Sequence, residues 1–365
     1  MKNIFILVIG MALFQNVQAA VDSHLDKIVP VNDGPYVFLT NDKLMIMWVQ
    51  NDHLRKNILT PKNFIKYKKK FGLQFEYDDL MKAFSTETCH IQSHATIDSI
   101  AVLADIHGEY ATYVRSLRST GVIDRDLNWS FGRGHLVILG DVFDRGDKVT
   151  EVLWHLFGLE KQAERAGGRV HFLLGNHELM ILTNDNHYIS KKYRKVEQIT
   201  GKDYGHLYSE NSVIGKWLRS KPVMMSINDI LFVHGGISPG MVKRNLSVEQ
   251  VNLMFAEHFC DERDHDTCSD EQLAFLGDEE GPLWYRGYFT DSELNEASID
   301  SILAFYGVNH IIVGHTSSRY INVKYSNKII GTDTGIKYRQ PGEMLLYKEG
   351  LFYRAYLNGR RIRIN

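Results

Sequence analysis

The sequence has 365 residues, of which 44% are hydrophobic and 24% charged, as in an ordinary globular protein with a sizeable core. Its formal net charge of -2 lacks the basic excess that general nucleic-acid binders carry, so we expect no nucleic-acid partner. At roughly 150 residues per domain, the length alone suggests two domains.

Residues 1–19 have the features of a secretory signal peptide. Lys2 precedes an apolar run over 4–14, and Ala19 provides a small residue at the usual cleavage position. That run is about half of the ~20 residues needed to span a bilayer, which favours a removable signal peptide over an anchor. No other stretch is long and apolar enough to span a membrane. We therefore expect a periplasmic or secreted protein with no membrane partner after cleavage.

Three cysteines remain after that cleavage. Cys260 and Cys268 flank a short acidic loop, and in an oxidising compartment we expect them to form a disulfide, with two free thiols as the alternative. Cys89 then has no partner, and we expect it to be buried or inert.

Residues 20–97 contain no motif that indicates chemistry, and we expect them to form a preamble packed on the domain that follows. Their most distinctive feature is a basic run, Lys-Tyr-Lys-Lys-Lys, over 66–70. Such a run can attract phosphate, but a short basic run is more often a solvated helix face, and we favour that interpretation.

Three apolar runs follow, and each ends in a cluster of polar residues. The runs and their clusters are 99–104 with Asp105 and His107, 135–139 with Asp141, Asp144 and Arg145, and 170–174 with Asn176 and His177. Each run predicts a buried strand that ends in a turn. Buried acids and arginines cost free energy unless they are paired or bind a metal, so their concentration at three strand ends indicates one functional site.

Helices are predicted between these strands, over 110–120 and 150–166, and Gly167 ends the second. The alternation of strands and helices predicts parallel strands joined by right-handed crossovers. Ligands of such sheets bind beyond the carboxyl ends of the strands, where all three clusters fall. We expect the later apolar strands, over 230–233, 311–313 and 344–364, to form a second sheet.

The clusters form an ordered set of motifs. They read Asp-x-His-Gly at 105–108, Gly-Asp-x-x-Asp-Arg-Gly at 140–146 and Gly-Asn-His-Glu at 175–178, followed by His-Gly-Gly at 234–236 and Gly-His at 314–315. Over 98–335 this order resembles the calcineurin-like metallophosphoesterases of the phosphoprotein phosphatase type. The resemblance implies an α/β fold of two stacked mixed β-sheets flanked by helices, with a dinuclear metal site at the strand carboxyl ends.

The domain organisation follows from that resemblance. One site draws on residues from 105 to 315, so we expect one catalytic domain over 98–365 in place of two domains. Two segments, 183–226 and 241–297, interrupt the alternation of strands and helices and are interpreted as insertions at the rim of the site.

The resemblance also implies two metal ions and their ligands. Asp141 would bridge the ions, and the other ligands would be Asp105 and His107 for the first ion and Asn176, His234 and His315 for the second. Nitrogen and oxygen ligands without cysteine suit Zn, Mn or Fe, and the sequence does not choose among them.

The remaining roles concern the phosphate ester. The resemblance implies direct attack by a metal-bridging hydroxide, with His177 as the general acid, oriented by Asp144. Arg145 would bind the phosphate by bidentate hydrogen bonds. Arg286 is a second candidate for phosphate binding, with an ordinary surface arginine as the alternative, and Asp333 is a possible contact.

The Pro-Leu-Trp-Tyr-Arg segment at 282–286 and the forms of the first two motifs resemble the Shewanella-like protein phosphatases. This implies phosphorylated proteins or peptides as substrates, with a preference for phosphotyrosine. No cysteine is followed six residues later by arginine, so any tyrosine phosphatase activity must be metal-based and not cysteine-based. A diadenosine-polyphosphate or nucleotide hydrolase with the same metal core is the alternative. A non-enzymatic phosphate-binding scaffold is disfavoured, because it has no use for a general acid.

Overall fold

The computed structural model describes residues 29–84, 96–259 and 271–364. The predicted signal peptide and all three cysteines lie outside these ranges. Within them, no helix is both long and apolar enough to cross a membrane.

Strands and helices alternate strictly over residues 99–182. The strands are β1 (Asp33–Thr40), β2 (Lys43–Gln50), β3 (His53–Leu59), β4 (Ser99–Leu103), β5 (His135–Ile138), β6 (Arg169–Phe172), β7 (Met224–Ile227), β8 (Ile230–Val233), β9 (His310–Val313), β10 (Asn322–Lys324), β11 (Ile329–Gly331), β12 (Glu343–Lys348), β13 (Leu351–Tyr356) and β14 (Arg361–Arg363). The α-helices are α1 (Pro61–Phe71), α2 (Tyr77–Lys82), α3 (Tyr110–Thr120), α4 (Val149–Arg165), α5 (Asn176–Leu182), α6 (Lys191–Thr200), α7 (Val213–Arg219), α8 (Pro239–Lys243), α9 (Val248–Met254), α10 (Glu271–Gly277), α11 (Gly287–Thr290) and α12 (Glu296–Tyr306).

Two mixed sheets form the centre of the molecule, as predicted. The first has the strand order β14-β13-β12-β4-β5-β6, and the second has the order β10-β11-β9-β8-β7. Strands β4, β5 and β6 run parallel, with α3 and α4 in the crossovers between them. The mixed two-sheet α/β fold is therefore confirmed.

The two sheets stack through fully buried aliphatic and aromatic side chains. Val102 and Val137 of the first sheet share one apolar cluster with Phe232 and Ile312 of the second. The neighbouring residue Leu103 points the other way, into the larger core beneath the helices. Since both faces of the central strands are covered, β4 and β5 are apolar after their first residues, and their carboxyl ends are the place where polar side chains can emerge.

The prediction that the later strands form the second sheet is confirmed for β8 and β9 and wrong for residues 344–364. Strands β12, β13 and β14 belong to the first sheet, not the second, because β12 pairs antiparallel with the free edge of β4, with Leu345 opposite Val102. An apolar strand pattern indicates burial but carries no information about which edge the strand joins. Strand β7, at the edge of the second sheet, begins at Met224, inside the segment predicted as an insertion over 183–226.

The segment before the two central sheets forms a third sheet and two helices. Strands β1, β2 and β3 make an antiparallel meander. Helix α1 follows, with Thr60 capping its first turn, while Phe64 and Tyr67 are buried beneath it. The lysines at 66, 69 and 70 lie on the exposed side of this helix.

The third sheet is attached to the catalytic core by a buried ion pair. Asp33 Oδ1 lies 2.5 Å from Lys192 Nζ of helix α6; the Asp33 side chain is fully buried and the Lys192 side chain is 13% exposed. Asp33 Oδ2 accepts hydrogen bonds from the hydroxyls of Tyr36 and Thr150. Burial raises the pKa of Asp33, and Lys192 acts against that shift. Lys192 Nζ also donates to the carbonyl of Asp147, beside the second motif.

Replacing Asp33 by alanine should destabilise the protein by about 3 kcal/mol, because the Lys192 ammonium is left buried without its partner. The matched control is Asp300→Ala, which removes an exposed partner of Lys328 and should leave the urea midpoint unchanged. Urea unfolding followed by circular dichroism measures both variants. Equal midpoints for Asp33→Ala and Asp300→Ala would contradict the structural importance of the buried pair.

Candidate metal centre and active site

The polar clusters of five strand ends converge on one site. Several of its residues adopt left-handed backbone conformations that non-glycine residues rarely take, with φ values of 52° for Asp105, 44° for His107, 55° for Asp141, 68° for Asp144 and 62° for His315. Each such residue costs on the order of 1–3 kcal/mol and persists only where its surroundings enforce it. The turns therefore point these side chains into the site at the expense of local backbone stability.

The fully buried Glu178 holds two of these turns together. Its carboxylate accepts N–H groups from Gly175 at 2.8 Å, Asp141 at 2.7 Å and Val142 at 2.8 Å. The turns approach so closely that a Cβ atom on Gly140 would lie 2.3 Å from the nitrogen of Gly175. No role for Glu178 is predicted from the sequence. Its place three residues after Gly175, a capping-box spacing at the start of α5, was the available signal.

Two groups of candidate metal ligands share Asp141. One group contains His107, Asp141 and His177, and the other contains Asp141, His234 and His315, with the donor atoms of each group within 4.8 Å of one another. The structure also brings in the other two predicted ligands. Asp105 Oδ1 lies 3.9 Å from His107 Nε2, and Asn176 Oδ1 lies 3.0 Å from His234 Nε2. All six residues predicted as ligands therefore lie at one place, with Asp141 between the two groups.

Backbone carbonyls orient the three predicted histidine ligands. His107 donates from Nδ1 to the carbonyl of Phe143 (2.7 Å), His234 from Nδ1 to Leu139 (2.5 Å) and His315 from Nε2 to Trp284 (3.1 Å). A carbonyl can only accept, so the opposite ring nitrogen of each histidine has a lone pair for a ligand when the ring is neutral. His107 Nε2 is buried and has no hydrogen-bond partner. This donor set fits metal ions.

The protonation states of two of the three histidines agree with that fit. Burial lowers the pKa of His107 to about 3, and burial and the nearby His234 lower that of His315 to about 2, so both rings are neutral as metal binding requires. Burial also disfavours charge on His234, but Asp141 raises its pKa to about 9.

The centre of the site has a high density of negative charge. Burial and the neighbouring carboxylates of Asp333 and Asp141 raise the pKa of Asp105 well above its usual range. Lys337 Nζ lies 3.5 Å from Asp105 and 3.0 Å from Asp333, which also accepts a hydrogen bond from Ser317. Lys337 thus links Asp333 to the predicted ligand Asp105. No motif in the sequence indicated Lys337. Further cations at the ligand groups would relieve the remaining repulsion.

The predicted general acid is held by its predicted partner. His177 Nδ1 lies 2.5 Å from Asp144 Oδ2, and both side chains are buried. Because Asp144 accepts at Nδ1, His177 presents Nε2 to the site. Arg145 Nη2 lies 3.5 Å from that nitrogen. A guanidinium can only donate, so His177 Nε2 accepts in this arrangement. The Asp144 carboxylate on Nδ1 stabilises the doubly protonated ring that a proton donor requires.

Two arginines lie at the opening of the site. Arg145 is exposed beside His177, next to the first ligand group. Arg286, from the segment predicted as the second insertion, donates from Nη1 to the carbonyl of His315 at 2.8 Å, next to the second group. Both predicted phosphate-binding residues are therefore near the ligands, and both are accessible to a substrate.

Comparisons with known proteins agree with this arrangement. The model of the calcineurin-like phosphoesterase family matches residues 99–319, more than half of the chain. The chain therefore belongs to the calcineurin-like phosphoesterase family, which uses divalent metal ions, and it is a metal-dependent phosphatase.

Within this family, the chain is similar to the following proteins. The crystal structure of the cold-active protein-tyrosine phosphatase of a psychrophilic Shewanella species has a TM-score of 0.82 and 34% identity, covering 92% of this chain and 99% of that one. Shewanella-like protein phosphatase 1 of Plasmodium berghei is 29% identical over 261 residues, which is 66% of this chain and 69% of that protein. Shewanella-like protein phosphatase 2 of Arabidopsis thaliana is 35% identical over 95 residues, 26% of this chain and 24% of that protein.

Glu178→Gln should weaken the site without removing a predicted ligand. The amide nitrogen of glutamine cannot accept the N–H groups now bonded to the carboxylate, so we expect a loss of about 3 kcal/mol in stability. We also expect metal affinity or activity to fall about 10- to 100-fold. Urea unfolding and elemental analysis of the metal content measure the two effects. Glu164→Gln, on the exposed part of α4, is the control, and a Glu178→Gln variant that matches it would contradict this role.

Proposed function

We propose that this protein hydrolyses phosphate monoesters of phosphoproteins, with a preference for phosphotyrosine, by direct transfer of the phosphoryl group to water. The observation that carries the proposal is the His177–Asp144 pair beside two ligand groups that share Asp141. Two ions of Zn, Mn or Fe are the cofactor of this proposal. The similarity to proteins named as protein phosphatases and as a tyrosine phosphatase supports the choice of substrate.

In this proposal, different residues have different roles around the reacting phosphate. Metal ions held by the two groups would supply an activated water and neutralise phosphoryl oxygens. Arg145 binds the phosphoryl oxygens at the opening of the site. His177 donates the proton on Nε2 to the leaving oxygen, and Asp144 holds the ring with Nδ1 protonated and stabilises it. No side chain forms a covalent bond to phosphorus in this scheme.

The preference for phosphotyrosine has a chemical component. A phenol has a pKa of about 10, well below that of an alkyl alcohol, so it leaves with less help from a proton donor. Aryl phosphates are therefore easier substrates than alkyl phosphates at any such site. The leaving-group chemistry therefore explains why the site accepts phosphotyrosine. A preference for phosphotyrosine that exceeds this chemical advantage requires a contact between the protein and the tyrosine ring.

The proposal is tested by a panel of matched phosphotyrosine, phosphoserine and dinucleoside-polyphosphate substrates, with metals supplied and their content measured. We expect phosphotyrosine to be turned over fastest, because its phenol is the best leaving group among the monoesters. Chelator treatment and Asp141→Asn should each abolish turnover, since Asp141 belongs to both ligand groups. Turnover of the dinucleotide alone would contradict the proposal and assign the protein to the alternative class of nucleotide hydrolases.

The role of His177 has a separate test. In His177→Asn, loss of the proton donor should lower kcat for a phosphoserine peptide by at least about 100-fold, and for the matched phosphotyrosine peptide by much less. Steady-state kinetics on both peptides measures the difference. Unchanged metal content in the variant is the control that separates an acid from a ligand. Equal losses on the two peptides would refute the leaving-group argument.

A further inference from the structure

Tyr188 lies at the opening of the site, on the segment between α5 and α6. Its side chain is 45% exposed, and its ring centroid is 5.4 Å from that of His177 at an angle of 58°. The guanidinium carbon of Arg145 lies 5.2 Å from the centre of the same ring. Tyr188 therefore contacts both the proposed acid and the proposed phosphate-binding arginine while keeping nearly half of its surface open.

The position of Tyr188 is fixed by polar contacts of the backbone around it. The N–H of Arg145 donates to the carbonyl of Tyr188 at 3.2 Å. Arg194 donates to the carbonyl of Asn186 at 2.5 Å, and the N–H of His187 donates to Asp185. These bonds tie the segment to the second motif and to α6. The ring is therefore held beside His177 although it is not buried.

The direction of the leaving group follows from the role of His177. A proton donor must lie within hydrogen-bond reach of the atom that it protonates, so the leaving oxygen sits beside His177 Nε2. Groups attached to that oxygen extend from His177 toward the opening. Tyr188 borders His177 on this exposed side, so a leaving group with a ring meets the ring of Tyr188.

We propose that Tyr188 is a specificity-determining residue that receives the aromatic ring of phosphotyrosine as it leaves. This rests on the function proposed above, and it names the contact that gives selectivity. Aromatic pairs add a stabilisation that corresponds to about three- to tenfold in a rate or binding constant. The serine side chain of phosphoserine has no ring, so it gains no such aromatic stabilisation.

The experiment compares Tyr188→Ala, Tyr188→Phe and wild type on matched phosphotyrosine and phosphoserine peptides, and on a phenyl and an alkyl phosphate. In Tyr188→Ala, kcat/KM should fall about three- to tenfold for both aryl substrates and stay within about twofold for both alkyl substrates. Tyr188→Phe should retain the wild-type values. Tyr320→Ala, which removes a tyrosine of similar exposure (48%) outside the site, is the matched control.

Two results would overturn the assignment of Tyr188. Equal losses on aryl and alkyl substrates would mean that Tyr188 acts by positioning Arg145 or His177 for every ester. Wild-type kinetics in Tyr188→Ala would mean that it has no contact with the substrate. The function proposed above fails separately, when the wild-type protein shows no preference for the phosphotyrosine peptide. A selective aryl loss in Tyr188→Ala would uphold the leaving-group contact even then.

Discussion

The site depends on the hydrogen bonds that the buried Glu178 carboxylate accepts from two backbone turns. One turn carries Asp141, which both ligand groups share, and the other carries Asn176 and His177. A single side chain thus sets the spacing between the shared carboxylate and the proposed acid. Ionised acceptors make stronger hydrogen bonds than neutral ones, and these bonds offset the strained left-handed conformations in the turns. The geometry is therefore set by the folded backbone before a substrate arrives.

The charges of the site change from its interior to its opening. The interior contains Asp105, Asp141 and Asp333, with Lys337 close to two of them. Such a centre attracts cations and, without them, would repel a phosphate. The opening instead presents Arg145 and Arg286, whose guanidinium groups suit phosphoryl oxygens. With cations bound in the interior, this arrangement would surround a phosphate with positive charge.

The segment before β7 contributes tyrosines to both the core and the surface. Tyr204 and Tyr208 are buried against Phe143, whose carbonyl accepts the hydrogen bond from His107. Tyr36 of the third sheet packs on Tyr208 from the other side. This aromatic cluster supports the turn that orients one ligand, whereas Tyr188 of the same segment lies at the opening. Burial separates these structural tyrosines from the exposed Tyr188.

The sequence by itself determined the α/β class, the parallel strands β4 to β6 and the residues that meet at their ends. This was possible because apolar runs mark buried strands, and because carboxyl ends of parallel strands share one edge, so motifs far apart in sequence must converge. The tertiary structure alone decided that β12 to β14 join the first sheet, since an apolar strand pattern does not encode its partner. It also placed Glu178, Lys337 and Tyr188 at the site. These residues act through contacts with chain segments distant in sequence, and only folding brings those segments into contact.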